Sequence, residues 1–170
     1  MVGPGPWDSY ENNFINKEYS MNNPIIKMEI TTGTVLIECF PDKAPNHVAQ
    51  ILRQAEQGFY DGTDFHRVID GFMAQGGWTK QALPQLLAEF NDVPHTEGTC
   101  SMARTNDPNS ASDQFFICFG NANFLDRQYT VWGKVIYGMR HVHAITRGEP
   151  PQDPTVIKRM RQASIADLAV

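Results

Sequence analysis

The sequence predicts a mainly β domain, a sheet or barrel with a helical lid. Three observations predict it. Two short alternating runs, one around Ile26, Met28 and Ile30 and one over residues 34–40, flank a Thr32-Gly33 turn and read as a hairpin. An amphipathic stretch follows, with Val48, Ile51, Leu52 and Ala55 on one helical face. Residues 65–77 then read as strand, turn, strand, with Asp70-Gly71 as the turn.

Taken in order, residues 1–23 are rich in Gly, Pro and Asn and lack periodicity, so they read as a partly disordered arm. The domain proper is expected over residues 24–170. Pro45 suits the first turn of the helix, where its missing N–H costs nothing, and Gly58 is placed to end it. Residues 78–95 are irregular; Leu83, Leu86, Leu87 and Phe90 fit either one helical turn or a packed loop. Residues 99–103 read as a strand, 104–113 as a polar loop of turn formers, and 114–119 as an aromatic strand. A turn at Phe124-Leu125-Asp126 precedes a strand over 129–135, and a second short helix is expected over 139–145. A Pro-rich linker leads to a last strand over 156–165, whose basic residues suit an edge.

At 170 residues the chain is expected to be one domain burying about 70% of its extended surface. A net charge of −5 argues against nucleic acid as a partner, because phosphate binding needs a basic face. No apolar run approaches the ~20 residues of a membrane-spanning helix. No apolar signal segment opens the chain, although a removed signal peptide would leave the same sequence. The three cysteines, Cys39, Cys100 and Cys118, form no C-x-x-C pair and read as buried free thiols. That leans towards the cytoplasm, with a periplasmic mature form as the alternative. His141 and His143 lack a third ligand at suitable spacing, so no metal site is expected. The expected working form is a monomer without a cofactor.

Residues 65–77 hold the densest chemistry. Side chains alternate along a strand, so Arg67 and Ile69 share one face while His66 and Val68 share the other. After the turn, Met73 and Gln75 point the same way. A cation, a thioether and an amide can then line one patch with Phe72 at its edge. The same stripe suits a solvated strand face with Phe and Met as core filler. A second run, residues 114–119, tips the balance, since Gln114 and Phe116 again share a face.

Phe65-His66-Arg67, Gly71-Phe72-Met73-Ala74-Gln75-Gly76-Gly77, Ser101-Met102-Ala103-Arg104, Gln114-Phe115-Phe116-Ile117, Phe124-Leu125-Asp126 and Val131-Trp132-Gly133-Lys134-Val135, in that order, resemble the cyclophilins. These are peptidyl-prolyl cis-trans isomerases that assist protein folding. The resemblance spans residues 24–167, and the Met102-Ala103-Arg104-Thr105 form is similar to bacterial members. It implies a closed eight-stranded antiparallel β-barrel capped by two α-helices, with the site on its outer face.

By matching position, Arg67 resembles the catalytic arginine of the family. Phe72, Met73, Phe116 and Leu125 resemble the wall of its proline pocket. Gln75 and Gln114 resemble amides that hold the substrate backbone, and Ala103 and Arg104 the strand edge that pairs with it. Phe124 stands where many relatives have Trp, and Tyr129 where His is common. The implied partners are proline-containing unfolded or flexible polypeptides; Phe124 for Trp disfavours the inhibitor cyclosporin. Residues 78–84 replace a Gly/Thr-rich loop, and Asp113 replaces a Ser, which puts a negative charge near the site. A proline-binding module or holdase with little turnover is the alternative function.

Overall fold

A computed structural model of the chain describes residues 23–168, so the expected arm, Asn23 apart, lies outside the described residues. The strands are β1 (Ile25–Ile30), β2 (Gly33–Cys39), β3 (Arg67–Ile69), β4 (Met73–Gly76), β5 (Thr99–Met102), β6 (Phe115–Cys118), β7 (Val131–Tyr137) and β8 (Ile157–Gln162). Helix α1 (Pro45–Glu56) follows β2, a 3-10 turn spans Asn123–Leu125, α2 (Met139–His143) follows β7, and α3 (Ile165–Leu168) follows β8. The eight strands form one antiparallel sheet in the order β3-β4-β6-β5-β7-β2-β1-β8.

The sheet curls into a half-barrel. Its edges are β3 and β8, and no ladder joins them. Strand β3 is only three residues long and meets the facing chain through one bridge, Val68↔Gly148; a second bridge, Asp64↔Val156, lies ahead of the strand. Inside the curl lies the main core. Val48, Ile51 and Ala55 of α1 and Met139 and Val142 of α2 join Phe65, Phe115, Ile117 and Trp132 there. The predicted apolar stripe of α1 is thus the face it buries, apart from Leu52, which is only partly buried.

Helix α1 has neither a capping side chain at Ala44 nor an acid in its first turn. The remote Glu89 takes that role: its carboxylate accepts from the N–H of Asn46 (3.2 Å) and of His47 (2.8 Å). The predicted last strand stops at Gln162. Ser164 and Asp167 then form a reciprocal cap, the Ser164 N–H donating to Asp167 Oδ2 at 2.7 Å, and this starts α3. Helix α2 ends at His143 rather than Ile145, whose side chain is buried all the same.

Candidate active site

Strands β4 and β6 pair in a register that sets Gln75 opposite Phe116 and Met73 opposite Cys118. Their alternation divides the side chains between two faces. Ala74, Phe115 and Ile117 enter the main core. Met73, Phe116 and Cys118 form a second cluster on the outer face with Ala122 and Leu125, against which Ile69, Phe72, Ala103 and Tyr129 pack. The Gly pair after Gln75 has a steric reason. Gly77 sits at φ +80°, and a Cβ there would lie 2.7 Å from the Phe115 ring.

The outer cluster floors an open cleft of about 410 Å³. Arg67, Phe72, Met73, Gln75, Ala103, Arg104, Phe116, Phe124, Leu125 and Tyr129 line it. The fold thus brings together ten of the eleven residues singled out from the sequence. Gln114, the eleventh, lies in the adjoining hollow with Thr105, Ser110, Ser112 and Asp113. It reaches the cleft through one bond: Gln75 Nε2 donates to Gln114 Oε1 at 3.0 Å. Phe124 stands 63% exposed on the 3-10 turn, its ring 5.5 Å from that of Phe72.

Arg67 begins the edge strand with its side chain 47% exposed. Its Nη1 donates to Gln75 Oε1 at 3.3 Å and its Nε to Glu149 Oε1 at 3.0 Å. A polar row therefore runs Glu149, Arg67, Gln75, Gln114 along one side of an apolar floor. On the other side, Arg104 donates to the Gln128 carbonyl (Nη2, 2.6 Å) and the Thr105 carbonyl (Nη1, 2.9 Å) and lies 4.4 Å over the Tyr129 ring. Ala103 and Arg104 are not on a free strand edge, since β5 lies between β6 and β7 and ends at Met102. The Ala103 N–H is already bonded to the Gln114 carbonyl at 3.0 Å.

A family model described as cyclophilin type peptidyl-prolyl cis-trans isomerase/CLD matches residues 25–162. The chain belongs to this family. It is 43% identical over 152 residues to a probable peptidyl-prolyl cis-trans isomerase of Brucella abortus, covering 79% of this chain and 76% of that one. A peptidyl-prolyl cis-trans isomerase of Acinetobacter baylyi is 38% identical over 139 residues, covering 75% and 74% of the two chains. Among solved structures, a cyclophilin from Hirschia baltica superposes with a TM-score of 0.78 at 32% identity, over 89% of this chain and 80% of that one.

Two features of this cyclophilin escaped the sequence reading. The first is what Asp113 does. Its carboxylate is buried and turned into the 78–84 loop, where Oδ2 accepts from the Thr79 N–H (2.9 Å) and hydroxyl (2.8 Å). Oδ1 accepts from the Ser112 hydroxyl (3.0 Å) and the Gln114 N–H (2.9 Å). The charge that the sequence set beside the site is spent on fastening the loop and on aiming Gln114.

The second is His95, which is buried and stacked on Phe116 with ring centroids 6.1 Å apart and planes 17° off parallel. Its Nδ1 donates to Asp126 Oδ1 at 2.9 Å, and its Nε2 lies 2.9 Å from the Ser101 hydroxyl. Residues of the Ser-His-Asp type meet here, yet Ser101 is wholly buried and its hydroxyl oxygen is shared between His95 and the Thr130 carbonyl, 3.0 Å away. The trio braces the back of Phe116 and offers no nucleophile. Burial pushes the His95 imidazole below its ordinary value, against the pull of Asp126. Nor is Cys118 reactive: burial raises its thiol to about 12.

Proposed function

We propose that this cleft speeds rotation about X–Pro bonds by clasping the pyrrolidine ring on Phe72, Met73, Phe116 and Leu125 while Arg67 acts on the imide nitrogen. Planar amides resist rotation by ~18–20 kcal/mol, because the nitrogen lone pair is shared with the carbonyl. Twisting frees that lone pair. A guanidinium donating a hydrogen bond to it favours the half-rotated form over either planar one, which is differential binding. Arginine suits this because it stays charged and its donors are rigid. An apolar wall lowers the local dielectric and strengthens the contact. Gln75 and Gln114 are placed to hold the peptide on one side of the bond as the other turns. No proton transfer or group transfer is needed.

The observation that carries this reading is the placement of the Arg67 guanidinium in the same cleft as the Met73–Phe116 floor. Exchange NMR on a short Ala-Pro peptide tests it. Arg67→Ala should lower kcat/KM about 100-fold or more, the usual loss for one directed donor. If the wild-type protein exchanges the peptide no faster than buffer, the enzyme reading is lost; if it binds without accelerating, a binding module takes its place.

The natural substrates, on this reading, are proline-containing flexible or unfolded polypeptides, taken by a monomer. Phe124 in place of Trp weighs against cyclosporin. A cytoplasmic site is proposed too, supported by three buried unpaired thiols. Full closure of the barrel belongs to the same reading. Backbone bonds near the seam support it: Phe65 N–H to Thr155 O (3.0 Å), Gly62 N–H to Ile157 O (2.7 Å) and Ile157 N–H to Thr63 O (2.7 Å).

A further inference from the structure

We propose that Glu149 is a positioning residue for the Arg67 guanidinium, an inference that rests on Arg67 being the group that meets substrate. An arginine at the start of an edge strand, half exposed, has many rotamers open to it. A planar guanidinium is fixed in orientation only when two of its nitrogens are held. Gln75 holds Nη1 from the sheet side, and Glu149 holds Nε from the loop side. Of the five N–H donors that arginine carries, this leaves about three, all on the Nη nitrogens, for a ligand in the cleft. Without Glu149 the group could swing about the Nη1 contact, and at 3.3 Å that contact is the longer of the two.

The loop that carries Glu149 is built to deliver it. Gly148 exchanges two backbone bonds with Val68 on the free edge of β3: Val68 N–H to Gly148 O at 2.8 Å and Gly148 N–H to Val68 O at 2.9 Å. Val68 is the neighbour of Arg67, so the register of this bridge sets Glu149 beside the guanidinium. Gly148 itself is at φ +142°, and a Cβ there would lie 2.6 Å from Pro151 Cα, so only glycine allows the turn. At the other end of β3, Arg147 Nε donates to Asp70 Oδ1 at 3.1 Å and fastens the same loop again. Glu149 is the charged group paired with Arg67; the Asp70–Arg147 pair lies further along the strand, and Arg104 lines the same cleft.

An acidic partner also offsets part of the field that the cation would present to a twisted amide. Its benefit must therefore come from aim, and that distinguishes the variants. Glu149→Gln keeps an oxygen acceptor for Nε and drops the charge; Glu149→Ala drops both. Measured by exchange NMR titration with an Ala-Pro peptide, Glu149→Ala should lower kcat about five-fold while KM moves less than about two-fold, a share of one charge-assisted hydrogen bond. Glu149→Gln should stay within about two-fold of the wild type on the same scale. On an Arg67→Ala background, Glu149→Ala should cost nothing more, and the melting temperature of both single variants should match the wild type. Three outcomes would overturn the proposal: unchanged kcat in Glu149→Ala, an equal fall in Glu149→Gln, or a further fall in the double variant. Full activity in Arg67→Ala would instead remove the premise about Arg67, and with it the role of Glu149.

Discussion

Phe116 serves the floor of the cleft and the packing behind it with one ring. His95 stacks on it, and Tyr129 meets it edge-on at 5.8 Å with planes 83° apart. Truncating a buried phenylalanine costs about 3–5 kcal/mol through lost transfer energy and the cavity left. One side of this ring faces the cleft, so Phe116→Ala is expected at the low end, about 3 kcal/mol by urea unfolding. Its kcat/KM should also fall about ten-fold, because the proline ring loses its main contact. A variant that unfolds like the wild type would show that the ring is not packed as described. At this scale the sequence was informative where strand alternation governs. Arg67, Met73, Gln75 and Phe116 each occupy the face that a period of two assigns them. Glu149 and His95 were not legible, because their partners lie 82 and 31 residues away in sequence and only the fold brings them together.

Among the elements, the stretch over residues 78–95 was the least legible in the sequence. Of the two readings of Leu83, Leu86, Leu87 and Phe90, the helical turn fails: Leu87 is 73% exposed and Phe90 40%, and Leu86 makes an isolated bridge to Ala111. The stretch has almost no regular structure, so its backbone is satisfied by distant groups instead. Glu89 N–H donates to the Thr130 hydroxyl at 3.0 Å and Ala88 N–H to Asn109 Oδ1 at 2.8 Å. Such long-range pairing leaves no local pattern to read, whereas α1 and the β1–β2 hairpin were legible because their contacts repeat at helical and strand periods. Asp113, whose carboxylate accepts four bonds, is a further fastener of this stretch. Removing it strands the buried Thr79 N–H, so Asp113→Ala should cost about 2–3 kcal/mol. It should also make the backbone amides around Thr79 exchange with deuterium faster. Unchanged protection there would mean that the loop holds without the carboxylate.

For the molecule as a whole, acid is the condition to which this network is most exposed. His47 and His95 are both fully buried, and they tie the two ends of the same structure: His47 joins α1 to Glu89 (Nδ1 to Oε1, 2.6 Å), and His95 joins the end of the 78–95 stretch to Asp126. Burial pushes each imidazole below its ordinary 6.5, and the neighbouring carboxylate offsets this only in part. His47 Nε2 has no partner among the described residues, so a proton added there would be buried without an acceptor. His141 shifts the same way through burial and Arg140. The unfolded chain therefore takes up protons near pH 6.5 that the folded chain refuses until lower pH, and stability rises with pH across that interval. Above 6.5 the contribution is complete; it drains away as pH falls through the depressed folded values. Asp126 adds a separate loss further down. The His95 N–H holds its carboxyl below 3.8, so its share persists above that value and disappears only in stronger acid. The urea midpoint should thus be level from about pH 8 to 7 and decline between about pH 6.5 and 5. His47→Phe should be less steep over that range, whatever its absolute stability, because the group that takes up the proton is gone. A wild-type midpoint that stays level down to pH 5 would mean that these imidazoles are charged in the native state, against the burial seen here.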